Sequence, residues 1–130
     1  MGKIEQSKIP QNRVSETPEY WVVIRISTED NIDIPYYKVF GGWRGGYLDG
    51  DRWKLNSGIT KVEEDDDYYY FSGFSGSCYK CHKKGYGLKD GKYRFSSYVH
   101  GVLENIIEKS NLSNINVEVM TEETDWKNLL

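Results

Sequence analysis

No alanine occurs anywhere in the chain, and its 130 residues include only two cysteines, two methionines, two histidines and three prolines. The missing residue is the best helix former, whereas the abundant Tyr, Ile, Asn, Lys and Asp favour strands and turns. That balance points to a β-rich domain and away from a helical bundle. No apolar run approaches the length of a membrane span. The opening MGKIEQSKIPQNRVSETPE has no apolar stretch after its first lysine, so it does not read as a secretory signal. Gln6 stands where a myristoylation sequence wants Ser or Thr. These features predict a soluble protein of a reducing cytoplasm, with no membrane partner and with two free thiols.

What is present is concentrated in the middle. Thirteen of the 19 aromatic residues and nine of the 13 glycines lie between Tyr36 and Tyr86. Aromatic runs bounded by Gly, Asn, Asp and Ser read as strands joined by tight turns. Charge is uneven too, although the net value is −3. Lys80 to Arg94 holds six basic residues against Asp90, and Glu63 to Asp67 is five acidic residues in a row. Such asymmetry can steer a charged partner, but a short charge run is more often a solvated turn.

At this length one domain is expected, burying roughly two thirds of the surface of the unfolded chain. Residues 1–18, polar with two prolines, read as a flexible arm, and 19–130 as a single α+β domain. In YWVVIRIS, residues 20–27, Val22, Ile24 and Ile26 share one strand face and Trp21, Val23 and Arg25 the other. Further strands are predicted at YYKVF, RWKLN, ITKVEE, YYYFSGF and INVEVM, with GGWRGGYLDGD and KKGYGLKDGK as loops. GSCYKCH reads as a strand or an irregular extension. Asp65-Asp66-Asp67 is the acidic tip of a hairpin. From Ser97 to Ser110, Val99, Val102, Leu103, Ile106 and Ile107 form one helical stripe, with Ser96 or Ser97 to cap its start and Asn111 its end. A short closing helix from about Thr121 is anchored by Trp126 and Leu129. The expected architecture is a curved antiparallel sheet of about five to seven strands carrying one packed amphipathic helix near the C-terminus.

CYKCH, residues 78–82, spells the attachment signature of a c-type haem, with Met120 or His100 as a second axial ligand. Such sites belong to exported compartments and begin helices, whereas this string lies among strand residues. Zinc would draw on Cys78, Cys81, His82 and His100, but the second ligand pair of a structural site is missing. In a regular strand Cys78 and Cys81 also point to opposite faces. Two small buried thiols are the favoured reading, with no cofactor. GFSGS, residues 73–77, lacks the closing glycine of a serine elbow. GYGLKDG, residues 85–91, has one residue too many for a dinucleotide fingerprint. Nothing orients either histidine as a base, so an enzyme is not expected.

The Gly/aromatic loop and the basic segment remain. Trp43, Arg44, Tyr47, Trp53 and Lys54 offer ring faces, cations and glycine N–H groups, which a planar anion such as a nucleotide requires. Lys83, Lys84 and Tyr86 form an adjoining basic rim. The segment 79–95, with lysines between Tyr79, Tyr86, Tyr93 and Phe95, would equally suit single-stranded nucleic acid. The plainer account is that aromatics fill a core short of aliphatics while lysines keep its edges soluble.

In YYKVFGGWRGGYLDGDRWKLNSGI and YYYFSGFSGSCYKCHKKGYG the chain resembles short accessory proteins of tailed bacteriophages, over about its middle half. The resemblance implies a non-enzymatic protein of the infected host's cytoplasm. It would act by stoichiometric binding, blocking a host or defence protein or sequestering a nucleotide signal. Its exposed aromatic surface would also suit a homodimer.

Overall fold

The structure, a computed structural model, describes residues 9–45 and 50–130. Nine strands and one α-helix are formed by the described residues: β1 Tyr20–Ser27, β2 Tyr36–Trp43, β3 Arg52–Leu55, β4 Ile59–Glu64, β5 Tyr68–Gly73, β6 Cys78–His82, β7 Leu88–Lys89, β8 Lys92–Tyr93, α1 Ser97–Leu112 and β9 Asn116–Val119. The fold is α+β. Its strands divide into a four-stranded sheet, β3-β2-β1-β9, a three-stranded sheet, β4-β5-β6, and the small hairpin β7-β8. Every strand pairing is antiparallel. No described helix is long and apolar enough to cross a membrane.

The central strand β1 is covered on both faces, which is why YWVVIRIS is apolar almost throughout instead of cleanly alternating. Val22 pairs with Phe40, and Phe40 meets Phe95 edge to face at 5.5 Å, just before α1. Val99 and Leu103 of α1 belong to the same core, so this face of β1 and β2 carries the helix. On the opposite face Trp21 reaches the three-stranded sheet, with Tyr69 at 6.1 Å and Phe71 at 5.3 Å. Trp126, in the closing 3-10 turn Trp126–Asn128, completes that cluster at 5.5 Å from Trp21. Helix, large sheet and small sheet thus form three layers with β1 at the centre.

Several boundaries differ from the sequence reading for local reasons. β2 does not end at Phe40 but runs on through Gly41, Gly42 and Trp43. The glycines are there because partners press on them: a Cβ at Gly42 would lie 2.8 Å from the Phe95 ring, and one at Gly41 2.8 Å from Pro18. KKGYGLKDGK is not all loop, since Asp90 and Gly91, at φ 53° and 76°, make the tight turn between β7 and β8. Ser96 does cap α1, its hydroxyl accepting the Val99 amide at 3.3 Å. The helix passes Asn111 and ends at Leu112, with Asn114 taking the left-handed conformation at φ 62°.

The arm expected over residues 1–18 is not free from residue 9 onward. The amide of Ser15 donates to the Cys78 carbonyl at 2.8 Å and that of Lys80 to the Glu16 carbonyl at 2.9 Å, so the segment runs along β6 as a partial strand. Ile9 is buried against Tyr70 and Cys78. Lys54 and Arg13 add ion pairs to Glu16 and Glu63. The polar composition was misleading because the arm is held by backbone pairing, which side-chain hydropathy does not report.

The acidic hairpin tip is also more than a solvated corner. Asp65 accepts the Asp67 amide at 3.0 Å, the Tyr68 amide at 2.8 Å and the Tyr70 hydroxyl at 2.7 Å. Burial alone would raise its carboxyl, but these bonds outweigh burial and hold it below the usual carboxylate range. Burial pushes Tyr79 up to about 12, aided by Glu16, and burial with the Asp65 bond pushes Tyr70 up to about 12. An unfolded tyrosine loses its proton near pH 10. Between there and about 12 the unfolded chain therefore holds fewer protons than the folded one, and stability falls as pH rises. Melting temperature should be level up to about pH 10 and drop from there towards 12. A melting temperature that stayed unchanged between about pH 10 and 12 would contradict this.

Candidate functional site

Alternation along β5 and β6 sends Tyr68 and His82, which face each other across the pair, out of the small sheet on the side away from Trp21. The His82 ring meets Tyr68 edge-on at 5.0 Å. Lys80, two residues earlier on the same face, places its ammonium 4.4 Å from the centroid of Tyr68 and donates to Gln11 Oε1 at 2.9 Å. His82 Nδ1 accepts the Lys84 amide at 3.0 Å, which caps the 3-10 turn Lys83–Gly85. The neutral ring accordingly carries its hydrogen on Nε2.

Across from these residues stands the start of β1. The Arg94 guanidinium lies 4.6 Å from the centroid of Tyr20 and donates to the carbonyl of Lys84 at 3.0 Å. Tyr20, Tyr68, His82, Lys84 and Arg94 thereby line one open groove of about 410 Å³. Its far wall is the end of the docked arm, Thr17 to Glu19. Arg44 closes the approach: its amide donates to Glu19 Oε1 at 2.8 Å and its guanidinium to the Arg94 carbonyl at 3.4 Å. Four cationic side chains, Lys80, Lys84, Arg94 and Arg44, stand around a groove lined by one carboxylate, Glu19. The chain matches no protein-family model, no curated protein and no solved structure. The reading of the site rests on its own chemistry.

Of the eight residues singled out in the sequence, Lys84 lines the groove and Arg44 borders it. Trp43 stands beside them, its indole N–H donating to the Thr17 carbonyl at 3.0 Å and its ring 4.1 Å from the Arg52 guanidinium. The others separate. Trp53 lies on the helix side of the large sheet, stacked on Phe40 at 5.7 Å and 15°. Lys54 is paired with Glu16 at 2.7 Å. Lys83 turns to Glu64 at 3.2 Å and to the Tyr69 ring. Tyr86 is 1% exposed and belongs to the core, not to a basic rim. Tyr47 lies outside the described residues.

The CYKCH string forms a regular strand, so Cys78 and Cys81 do lie on opposite faces, Cys78 under Ile9 and Cys81 in the main core. Both thiols are buried and free, and burial holds both above the usual thiol range. His82 belongs to the groove, while His100 sits on α1 beside Tyr93 and Glu104. No group of three His, Cys, Asp or Glu residues suited to a metal ion is brought together among the described residues. Tyr20 and Tyr68 are the groove residues that sequence reasoning missed. Period-two alternation through YYYFSG and CYKCH places Tyr68 with Lys80 and His82, but nothing local says that Tyr20 and Arg94 come to the same place.

Proposed function

We propose that the chain is a non-catalytic binding protein whose groove takes a nucleotide-type anion. The observation that carries this reading is that two tyrosine rings in one groove each hold a cation, Lys80 beside Tyr68 and Arg94 beside Tyr20. A planar base stacks on a tyrosine face, and the cation beside it can exchange its present bond, Lys80 to Gln11 or Arg94 to the Lys84 carbonyl, for one to a phosphate. Lys84 and Arg44 supply further positive charge, and the single lining carboxylate is already engaged by the Arg44 amide. Binding without chemistry fits the site because His82 is anchored through Nδ1 and neither thiol reaches the groove. Taken with the resemblance to phage accessory proteins, this chemistry reads as stoichiometric sequestration of a nucleotide signal in a host cytoplasm.

Single-stranded nucleic acid along residues 79–95 is the second reading, favoured by the same basic run. The groove volume suits about one nucleotide, and Lys89 and Lys92 lie apart on the β7-β8 hairpin. Linear and cyclic mononucleotides and dinucleotides, together with oligonucleotides, should be screened by thermal shift. A mononucleotide or dinucleotide at a hundred times its dissociation constant should stabilise the fold by about 2.7 kcal/mol. Combined Arg44→Glu and Lys84→Glu should weaken binding by about a hundredfold, since two charge-assisted phosphate contacts become repulsive. Affinity that grows with oligonucleotide length and falls steeply with salt would favour the strand-binding reading. No shift with any member of the set would remove the nucleotide function.

A further inference from the structure

At the other end of β1, two adjoining grooves meet at Asn111 near the end of α1. One, of about 270 Å³, runs between Ile32 and Ile115 and is bordered by Glu29. The other, of about 600 Å³, follows the helix past Ile107 and Leu112 between Glu104 and Glu108. Large apolar side chains stand open here: Leu112 is 79% exposed, Ile32 56% and Ile34, two residues further on, 78%. No lysine or arginine lines either groove. Arg25, whose guanidinium donates to the Ile32 carbonyl, is already paired with Glu118 at 3.4 Å. Asp30 and Asp33 add negative charge in the same loop, and the C-terminal carbonyls of α1 contribute the negative end of the helix dipole.

We propose that this surface, from Ile32 across Asn111 to Leu112, docks a basic amphipathic segment of a partner protein. Exposed aliphatic side chains flanked by carboxylates are the complement of a helix with an apolar stripe and lysines or arginines beside it. The partner's apolar residues cover Ile32, Ile107 and Leu112, and its cations meet Glu29, Glu104 and Glu108. Charge selects the occupant, because an acidic or neutral segment would leave three carboxylates facing like charge or losing water unpaired. The surface is independent of the nucleotide groove. Seven residue steps of β1 separate Tyr20 from Ser27, roughly 23 Å at strand spacing. The chain therefore presents two faces of opposite charge, one for an anion and one for a cationic segment.

The probe is a synthetic helical peptide of leucines and lysines, with a leucine and glutamate peptide of the same pattern as control. The intact protein should bind the basic peptide at least about tenfold more tightly than the acidic one, with salt weakening the complex. NMR shifts should fall on Ile32, Ile107 and Leu112. Combined Glu104→Lys and Glu108→Lys should weaken binding about tenfold or more, and Leu112→Ser should also weaken it, both with unchanged circular dichroism. Equal binding of the two peptides, shifts that map elsewhere, or full affinity in the charge-reversed protein would each overturn the proposal. Concentration-dependent dimerisation abolished by Leu112→Ser and excluding the peptide would overturn it in favour of a second copy of the chain.

Discussion

Replacing Trp21 by alanine should cost about 3–5 kcal/mol, a large share of the stability of a domain this size. Trp21 is 1% exposed and occupies the point where the layers meet. Its ring lies within 6.1 Å of the centroids of Tyr69, Phe71, Tyr86 and Trp126, so its removal opens one cavity bordered by four other rings. The indole N–H also donates to the His82 carbonyl at 2.8 Å, tying β1 to the end of β6. Truncation loses both the packing and that bond. Urea denaturation should show a large drop in midpoint with little change in slope. Trp53→Ala is the control, since Trp53 is half-buried on the edge strand β3 and should cost less than about 2 kcal/mol. Comparable losses for the two tryptophans would mean that the core is not organised around β1.

Tyr86→Phe should cost about 1–3 kcal/mol although it removes a single oxygen. The Tyr86 hydroxyl accepts the Val23 amide at 3.2 Å and donates to the Met120 carbonyl at 2.5 Å. β9 ends at Val119, so the hydroxyl continues the connection between β1 and the chain beyond β9. Phenylalanine fills the same space but leaves a buried N–H without a partner, and the cost is the desolvation of that group. Burial first of all holds the Tyr86 hydroxyl far above an ordinary tyrosine, so it stays a donor throughout the working pH range. Equilibrium denaturation measures the loss. Affinity for the proposed nucleotide ligand should not change, because Tyr86 is not among the residues lining the groove. A weakened ligand with unchanged stability would instead return Tyr86 to the binding rim.

That residue shows where sequence reading stops. Tyr86 stands among Lys83, Lys84 and Lys89, and nothing in the string separates it from a solvent-facing aromatic. It is buried because the segment after β6 passes beneath Trp21, to which Tyr86 makes an isolated parallel bridge. Gly41 and Gly42 carry the same lesson. A glycine pair next to Trp reads as a ligand loop, yet these glycines are strand residues that leave room for Pro18 and Phe95. Trp43 and Trp53, ten residues apart in one aromatic stretch, end on opposite faces of one sheet. Which face a residue takes follows from strand register, and register is set by pairing partners that lie far away in the chain.

The sequence alone was enough for the α+β class, for the helix with a serine cap at Ser96 or Ser97, for most strands and for the opposed faces of Cys78 and Cys81. These features depend on local rules: helix propensity, periodicity of 3.6 or 2, and the chemistry of caps and turns. Only the tertiary structure decided that the strands divide between two larger sheets and a small hairpin, that the arm from residue 9 lies along β6, and that Tyr20 and Arg94 meet Tyr68 and Lys84. Those contacts join positions tens of residues apart, and their free energy comes from burial and backbone pairing between segments that carry no sequence mark of one another.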